Sequence, residues 1–238
     1  MQILSIAQEA AAIVGTEPPK TLFNKNNPQS ILFLSLVNDA LEALKRYGDW
    51  QQTEKEASFY ITNTATYHIP DLVDDFFALI PDTIYIKDRQ EKVIGSISPA
   101  QFMREKVFQT ADGRVKFHIK GNTFCFVKRP PIGSKVVFQY RTSAVVKESE
   151  KTNGVYRYKQ MPTKDTDVPL FDWYLIKLAL IWRWFKRNAL PYDEAYKEYQ
   201  DEVKKAFMTS RSMENISLIG GGITQATGGV YVQFKNDN

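Results

Sequence analysis

The chain of 238 residues is 43% hydrophobic and carries a formal net charge of +4. This length fits one large domain, or a domain with an insertion, around a sizeable core, and the charge excludes the strong basic excess of a dedicated nucleic-acid binder. Its single cysteine, Cys125, excludes an internal disulfide framework and a multi-cysteine metal site, and it favours folding in the cytosol.

No targeting or membrane segment is expected. The N-terminus, Met1-Gln2-Ile3-Leu4, lacks the basic region of a signal peptide. The most apolar run, Leu170 to Phe185, is interrupted by Asp172, Lys177 and Arg183, so it predicts a buried helix and not a membrane span.

Two helices open the chain. Apolar residues recur at helical spacing from Ile3 to Val14, and Gly15 follows as a candidate C-cap. After a loop, Asn27-Pro28 has the pattern of an N-cap followed by proline at the first helical position. The second helix ends at Gly48, and Trp50 lies just beyond it. Its apolar stripe consists of Leu34, Val37, Leu41 and Leu44.

From Thr53 the apolar period changes to two, which predicts antiparallel strands. A short helix is expected from Ser98-Pro99, and Gly121-Asn122 is the signal of a tight hairpin. We expect a meander of strands in this region. The alternating apolar residues are Ala57, Phe59 and Ile61, then Ile84 and Ile86, then Val115, Phe117 and Ile119, then Phe124 and Phe126, and finally Val136, Phe138 and Tyr140.

Helices return after a polar stretch, Glu148 to Asp167, that is expected to be a loop with a turn at Asn153-Gly154. The next helix, Asp167 to Leu190, has only a narrow polar stripe, so it is expected to be buried on all sides with help from a neighbouring subunit. A last helix is predicted to start at Asp193, after Pro191. The candidate subunit-interface residues are Trp173, Trp182 and Trp184.

The final segment, Arg211 to Asn238, has neither helical periodicity nor a charge cluster. Large apolar residues lie between and around Gly220-Gly221-Gly222 and Gly228-Gly229, a composition unlike that of a solvated disordered tail. The segment is therefore predicted to be an arm that docks on a partner, which indicates assembly rather than catalysis. Its candidate docking residues are Ile216, Leu218, Ile219, Ile223, Val230, Tyr231, Val232 and Phe234.

Catalytic, cofactor-binding and metal-ligating signatures are not found in the sequence. His68 and His118 are far apart and are expected to be structural, since a catalytic histidine needs a placed partner. Asp74 and Asp75 are adjacent, and adjacent residues of an extended segment point to opposite faces. Gly220 to Gly222 lack the following Lys-Ser or Lys-Thr of a phosphate-binding loop and are expected to be hinges. We therefore expect no enzyme, no cofactor and no metal.

One stretch, Arg114 to Arg141, is basic and contains no Asp or Glu. Basic strands interleaved with aromatic residues can bind single-stranded nucleic acid, but a period of two places most of these aromatics on the face away from the lysines. Loose contact with the phosphates of duplex DNA is easier to support, because it requires only positive charge. The candidate DNA-facing residues are Lys116, Lys120, Lys128 and Arg129.

Four stretches carry a resemblance to a known family. They are the opening helix that ends at Val14-Gly15, the helix from Phe33 to Leu44 with its trailing Trp50, the step Tyr67-His68-Ile69-Pro70, and the paired closing helices around Leu190-Pro191-Tyr192-Asp193. In this order, and over most of the chain, they resemble the head-to-tail adaptor family of short-tailed bacteriophages, also called tail accessory or head-completion proteins.

The element order and the resemblance together imply an α+β fold: a helical bundle of about four helices with an antiparallel β-rich insertion and an extended C-terminal arm. The expected segments are the N-terminal bundle helices (1–52), the β-rich insertion (53–166), the C-terminal bundle helices (167–210) and a portal-docking arm (211–238).

The function that the resemblance implies is that of a structural virion protein at the head–tail junction. Identical subunits, expected to number twelve, would form a ring between the portal protein and the next tail protein and would line the genome channel. The C-terminal arm would lie along the portal. The protein would be made in the host cytoplasm and would contact duplex DNA without sequence specificity, and no membrane would be involved.

Two other functions stay open at this stage. The first is a nucleic-acid-binding protein that uses the basic strands 114–141, which a steep salt dependence of DNA affinity would indicate. The second is an enzyme, in the form of a hydrolase of the cell wall carried by a tail, with a site assembled from residues such as His68, Asp74 and Asp75.

Overall fold

Two compact units make up the protein in a computed structural model that describes residues 1–108 and 113–212. The helical unit consists of Met1–Gln51 together with the chain from Thr163 onwards, and the β unit consists of Gln52–Pro162. The helical unit is thus discontinuous in sequence, with the β unit inserted between its two halves.

The elements follow one another in the order in which the sequence patterns change. The helices are α1 (Ile3–Ile13), α2 (Pro28–Tyr47), α3 (Ile69–Leu72), α4 (Pro99–Phe108), α5 (Trp173–Arg187) and α6 (Asp193–Ser212). The strands are β1 (Glu54–Tyr60), β2 (Thr66–His68), β3 (Phe76–Leu79), β4 (Tyr85–Ile86), β5 (Glu91–Lys92), β6 (Phe117–Lys120), β7 (Thr123–Phe126), β8 (Lys135–Thr142), β9 (Val146–Thr152), β10 (Val155–Lys159) and β11 (Val168–Pro169).

In the helical unit, α5 is central and packs against α1, α2 and α6. Trp50 follows α2 in sequence and is buried, and its indole nitrogen donates to the carbonyl oxygen of Leu44 in that helix at 2.7 Å. The Trp50 ring also makes edge-on contacts with Phe171 and with Phe207 of α6, at centroid distances of 5.8 and 5.3 Å. The residues of α5 that are buried in this core are Leu175, Ile176, Leu178, Ala179, Leu180 and Ile181.

The β unit contains two sheets that face each other. In the five-stranded sheet, β8 pairs antiparallel with β1 on one side, from Glu54 opposite Arg141 to Tyr60 opposite Lys135. On its other side β8 pairs with β3 and β4, and β5 follows β4. The second sheet has the order β2-β7-β6, with the β6–β7 hairpin closed at Gly121-Asn122.

Aromatic residues fill the space between these two sheets. Phe124 of β7 lies 5.4 Å from Phe138 of β8 and 6.1 Å from Phe59 of β1, measured between ring centroids. These side chains occupy alternate positions of their strands and are buried, as expected for sheets that each present one face to a common core. The β unit therefore has a hydrophobic core of its own.

The expected fold, a helical bundle of about four helices with an antiparallel β-rich insertion and an extended C-terminal arm, is wrong. In residues 1–108 and 113–212 there are six α-helices and eleven strands in three antiparallel sheets, a mixed α+β architecture and not a simple four-helix bundle. The physical reason is that the period-two aromatics of the insertion bury one another across two sheets, and two of the helices, α3 and α4, belong to that unit.

The expected meander is also wrong, because β1 pairs with β8 and β2 pairs with β7, which are distant in sequence. The polar stretch Glu148 to Asp167, expected to be a loop, contains β9 and β10, an antiparallel pair joined at Asn153-Gly154. The predicted arm, 211–238, is described only as far as Ser212, the end of α6, so its extended conformation lies outside the described residues.

Candidate functional site

An aromatic cluster lies where α5 and α6 pack together in the helical unit. Its members are Trp182, Tyr192, Tyr196 and Tyr199. The Trp182 ring is half-buried and lies 4.9 Å from Tyr196, 6.1 Å from Tyr199 and 6.3 Å from Tyr192. Trp182 Nε1 is buried and has no hydrogen-bond acceptor among the described residues. The cluster arises because Pro191 follows the end of α5, and the chain then turns so that the tyrosines of α6 face Trp182.

Two cations lie against this aromatic cluster. The Arg183 guanidinium is 4.4 Å from the centre of the Trp182 ring, and Lys186 Nζ is 5.9 Å from the same ring. Burial raises the pKa of Tyr199, although the nearby Arg183 acts in the opposite direction, so the phenol stays neutral at physiological pH. Trp, Tyr and Arg are the residue types that dominate the binding energy of protein interfaces. The arrangement is chemically suited to docking on a protein surface.

The tryptophans predicted to lie at a subunit interface differ in their exposure. Trp173 begins α5 and is 38% exposed, with Lys177 Nζ 4.7 Å from its ring. Trp184 is half-buried and packs edge-on against Phe185. The chain by itself buries this helix from Leu175 to Ile181 and leaves the turn that follows partly exposed, so its burial on all sides with help from a neighbouring subunit stays a prediction.

The four candidate DNA-facing residues are not equivalent. Lys116 is only 11% exposed along its side chain and forms an ion pair of 2.9 Å with Glu105, which is itself buried. Its charge is therefore neutralised inside the β unit. Lys120 and Lys128 are exposed, and Arg129 is exposed with Nη1 donating to the carbonyl oxygen of Asn63 at 2.7 Å.

Asp75 is the centre of a polar network in the β unit. Its Oδ2 accepts hydrogen bonds of 2.6 Å from Lys55 Nζ and Thr142 Oγ1, and its Oδ1 accepts one of 2.7 Å from the Tyr140 hydroxyl. Burial acts to raise the pKa of Asp75, but these donors outweigh it and hold the pKa below its ordinary value. Burial and the neighbouring carboxylate raise the pKa of Tyr140. Both carboxylate oxygens of Asp75 thus accept hydrogen bonds from side chains of β1 and β8. Because Asp75 directly precedes β3, these bonds connect the three strands.

The other residues named for a possible hydrolase do not join this network. Asp74 is exposed, as expected for the neighbour of an inward-facing residue on an extended segment. His68 is exposed at the end of β2, where Nδ1 lies 3.4 Å from Thr123 Oγ1. His118, which was not named for a hydrolase, lies beside Phe102, with Nδ1 2.8 Å from the carbonyl oxygen of Ile97.

A shallow groove of about 390 Å³ crosses the outer face of the five-stranded sheet. Its walls include Glu56, Thr83, Tyr85 and Gln139. The carboxylate of Asp82, at its rim, is paired with Lys92 at 2.9 Å. The groove is wide open to solvent, in contrast to the enclosed clefts that usually hold small ligands.

A surface that the sequence interpretation missed lies on the β9–β10 hairpin. Tyr156 and Tyr158 share one face of β10, and their register partners on β9 are Lys151 and Lys147. The ammonium groups of Lys147 and Lys151 lie 4.5 and 5.2 Å from the centre of the Tyr156 ring. The signal for this hairpin was present in Asn153-Gly154, but the polar composition on both sides concealed the period of two.

Some predicted features fall outside what the structure describes. The eight candidate arm residues between Ile216 and Phe234 belong to the undescribed part of the chain. Within the described residues, no group of three or more His, Cys, Asp or Glu side chains is placed to hold a metal ion. None of the described helices has the length and hydropathy needed to cross a membrane.

No protein-family model matches the sequence, and no curated protein matches it.

Proposed function

We propose that this chain is a structural head-to-tail adaptor, a subunit of a ring between a portal protein and the next tail protein of a short-tailed bacteriophage. The observation that carries the proposal is the aromatic cluster of Trp182, Tyr192 and Tyr196 with Arg183 beside it, partly exposed on the helical unit. Such a surface has the composition of an interface core and is costly to leave in water.

Other large apolar side chains of the helical unit are exposed as well. Ile13 of α1 is 56% exposed, Ile31 of α2 is 51% exposed and Leu190, between α5 and α6, is 43% exposed. Single exposed apolar residues are ordinary, but here each of the helices α1, α2, α5 and α6 has at least one. This pattern supports a ring. In a ring each subunit contacts two neighbours and therefore presents two different surfaces for association.

In the proposed mechanism, the helical units associate with one another and the segment beyond Ser212 docks on the portal. Ordering a glycine-containing segment costs conformational entropy, which burial of its apolar side chains offsets. Many copies that dock together on one symmetric portal then bind far more tightly than a single copy, since each arm raises the effective concentration of the others.

The experiment compares the full chain with a variant that lacks Arg211 to Asn238. Each is mixed with purified portal rings of a short-tailed phage, and complexes are counted by mass photometry. We expect the full chain to form a complex of defined stoichiometry and the shortened chain, checked for folding by circular dichroism, to remain unbound. Equal binding by a folded shortened chain contradicts the arm mechanism, and absence of binding by the full chain to its cognate portal contradicts the adaptor function.

A further inference from the structure

The β9–β10 hairpin has two chemically different faces. On one face, Glu148 and Lys159 form an ion pair of 3.6 Å and are only 17% and 12% exposed along their side chains. The other face carries Lys147, Lys151, Tyr156 and Tyr158, of which Lys151 and Tyr158 are exposed and the other two are partly buried. We call this second set the lysine–tyrosine face.

Positive charge on the lysine–tyrosine face is not neutralised. No carboxylate forms an ion pair with Lys147 or Lys151 among the residues that the structure describes, and Glu148 is paired instead with Lys159. Both ammonium groups lie against the Tyr156 ring, a cation–π contact that positions a lysine without cancelling its charge. A third lysine, Lys55, lies 4.0 Å from the centre of the Tyr158 ring, but its charge is paired with Asp75.

The geometry of the strand suits a rigid polyanion. Lys147 Nζ and Lys151 Nζ lie 4.5 and 5.2 Å from the centre of the same Tyr156 ring, so the two ammonium groups are at most about 10 Å apart. Phosphates of one DNA strand advance about 3.4 Å per base along the helix axis, so the two ammonium groups can contact phosphates within about three base pairs of one another. Tyrosine hydroxyls donate hydrogen bonds to phosphate oxygens in protein–DNA complexes, and Tyr158 is 40% exposed beside the lysines.

From this arrangement we propose that the lysine–tyrosine face binds the phosphate backbone of duplex DNA without sequence specificity. This site is distinct from strands 114–141, where Lys116 is neutralised by Glu105. The proposal does not depend on the adaptor function, because a single chain is sufficient to bind. Within a ring it would supply a set of identical cationic contacts to DNA that passes through.

The test measures binding of the full chain to a fluorescein-labelled DNA duplex of mixed sequence by fluorescence anisotropy over a range of salt concentrations. The variant Lys147→Gln/Lys151→Gln removes both cations, and Lys20→Gln/Lys25→Gln removes two exposed cations of the helical unit as a matched control. We expect the first variant to weaken binding and to reduce the slope of log K against log salt by about 2, since each phosphate contact contributes about 0.9. The control variant should keep most of the wild-type slope.

A second pair of variants tests the role of the rings. Tyr156→Leu removes the cation–π contact and should weaken binding, whereas Tyr156→Phe keeps the ring and should bind as wild type does. Circular dichroism establishes that all variants are folded.

Three results overturn the proposal. The first is an absence of binding by the wild-type chain at low salt. The second is a slope for Lys147→Gln/Lys151→Gln that equals the slope of the matched control. The third is displacement of the DNA by polyglutamate at equal charge concentration, which would mark a docking surface for an acidic protein. None of these results depends on ring formation, so failure here and failure of the adaptor proposal are separately observable.

Discussion

At the scale of single residues, Asp75 and Asp74 show how neighbours in sequence acquire different roles. Asp75 accepts three side-chain hydrogen bonds, from Lys55, Tyr140 and Thr142, and its backbone carbonyl accepts one from the amide of Ser143 at 2.6 Å. These contacts connect the beginning of β3 to β1 and β8. A carboxylate held in this way contributes to the stability of the sheet, and its oxygens are already occupied by donors.

Replacing Asp75 should therefore destabilise the protein, and replacing Asp74 should not. Asp75→Ala removes a charged acceptor and leaves Tyr140 and Thr142 without it, which we expect to lower the free energy of unfolding by about 2–4 kcal/mol. Asp74→Ala, an exposed position, should change it by less than about 0.5 kcal/mol. Urea denaturation followed by circular dichroism measures both. Similar values for the two variants would show that the network contributes nothing.

The contribution of Asp75 should also depend on pH. Because the pKa of Asp75 in the folded protein is held below its ordinary value of 3.8, the stabilisation is present above that value and is lost as the pH falls through the folded pKa. The stability difference between wild type and Asp75→Ala should be constant from about pH 5 to 7 and should shrink below about pH 4. Urea midpoints at a series of pH values provide the measurement. A difference that grew on acidification would contradict the assignment.

At the scale of elements, α2 begins where its sequence predicts. Asn27 Oδ1 accepts hydrogen bonds from the backbone nitrogens of Gln29 at 2.9 Å and Ser30 at 3.4 Å, and Pro28 occupies the first helical position. A cap of this kind satisfies helix donors that otherwise have no partner inside the helix. The predicted start of this helix is confirmed.

Removal of this cap should cost about 1 kcal/mol of unfolding free energy in Asn27→Ala. Asn27→Ser keeps an oxygen acceptor in the same place and should retain most of the stability, so it is the matched control. Chemical denaturation of both variants gives the comparison. Equal losses in the two would mean that the side chain acts through something other than capping.

Local patterns also explain which strands could be predicted. The β6–β7 hairpin is confirmed because Gly121-Asn122 suits a tight turn and the flanking residues alternate. The pairing of β1 with β8 was missed because no local signal joins Glu54 to Arg141. The β9–β10 hairpin was missed for a different reason: its exposed face is polar, so the apolar alternation that marks a half-buried strand is weak.

At the scale of the whole molecule, the exposed apolar residues of the helical unit lead to a prediction about association. Trp173→Asp/Leu190→Asp places charge at two partly exposed positions, and circular dichroism checks that the variant is folded. We expect this variant to lose ring formation on portal, because buried unpaired charge is costly in an interface. Mass photometry reports the loss. Ile132→Asp, at a position 60% exposed in the β unit, is the control and should assemble normally. Normal assembly by both variants would contradict an interface at Trp173 and Leu190.

The sequence by itself determined the type and approximate limits of the longer elements, because caps, turns and hydrophobic periods are local interactions between residues a few positions apart. It also indicated which strand faces are buried, as Val136, Phe138 and Tyr140 of β8 illustrate. Only the tertiary structure decided that β1 lies beside β8, that Lys116 is ion-paired with Glu105 and that Asp75 is hydrogen-bonded to β1 and β8. Those outcomes depend on contacts between residues that are far apart in the chain. Such contacts exist only in the folded protein, and they decide which groups are buried, which charges are paired and which strands are neighbours.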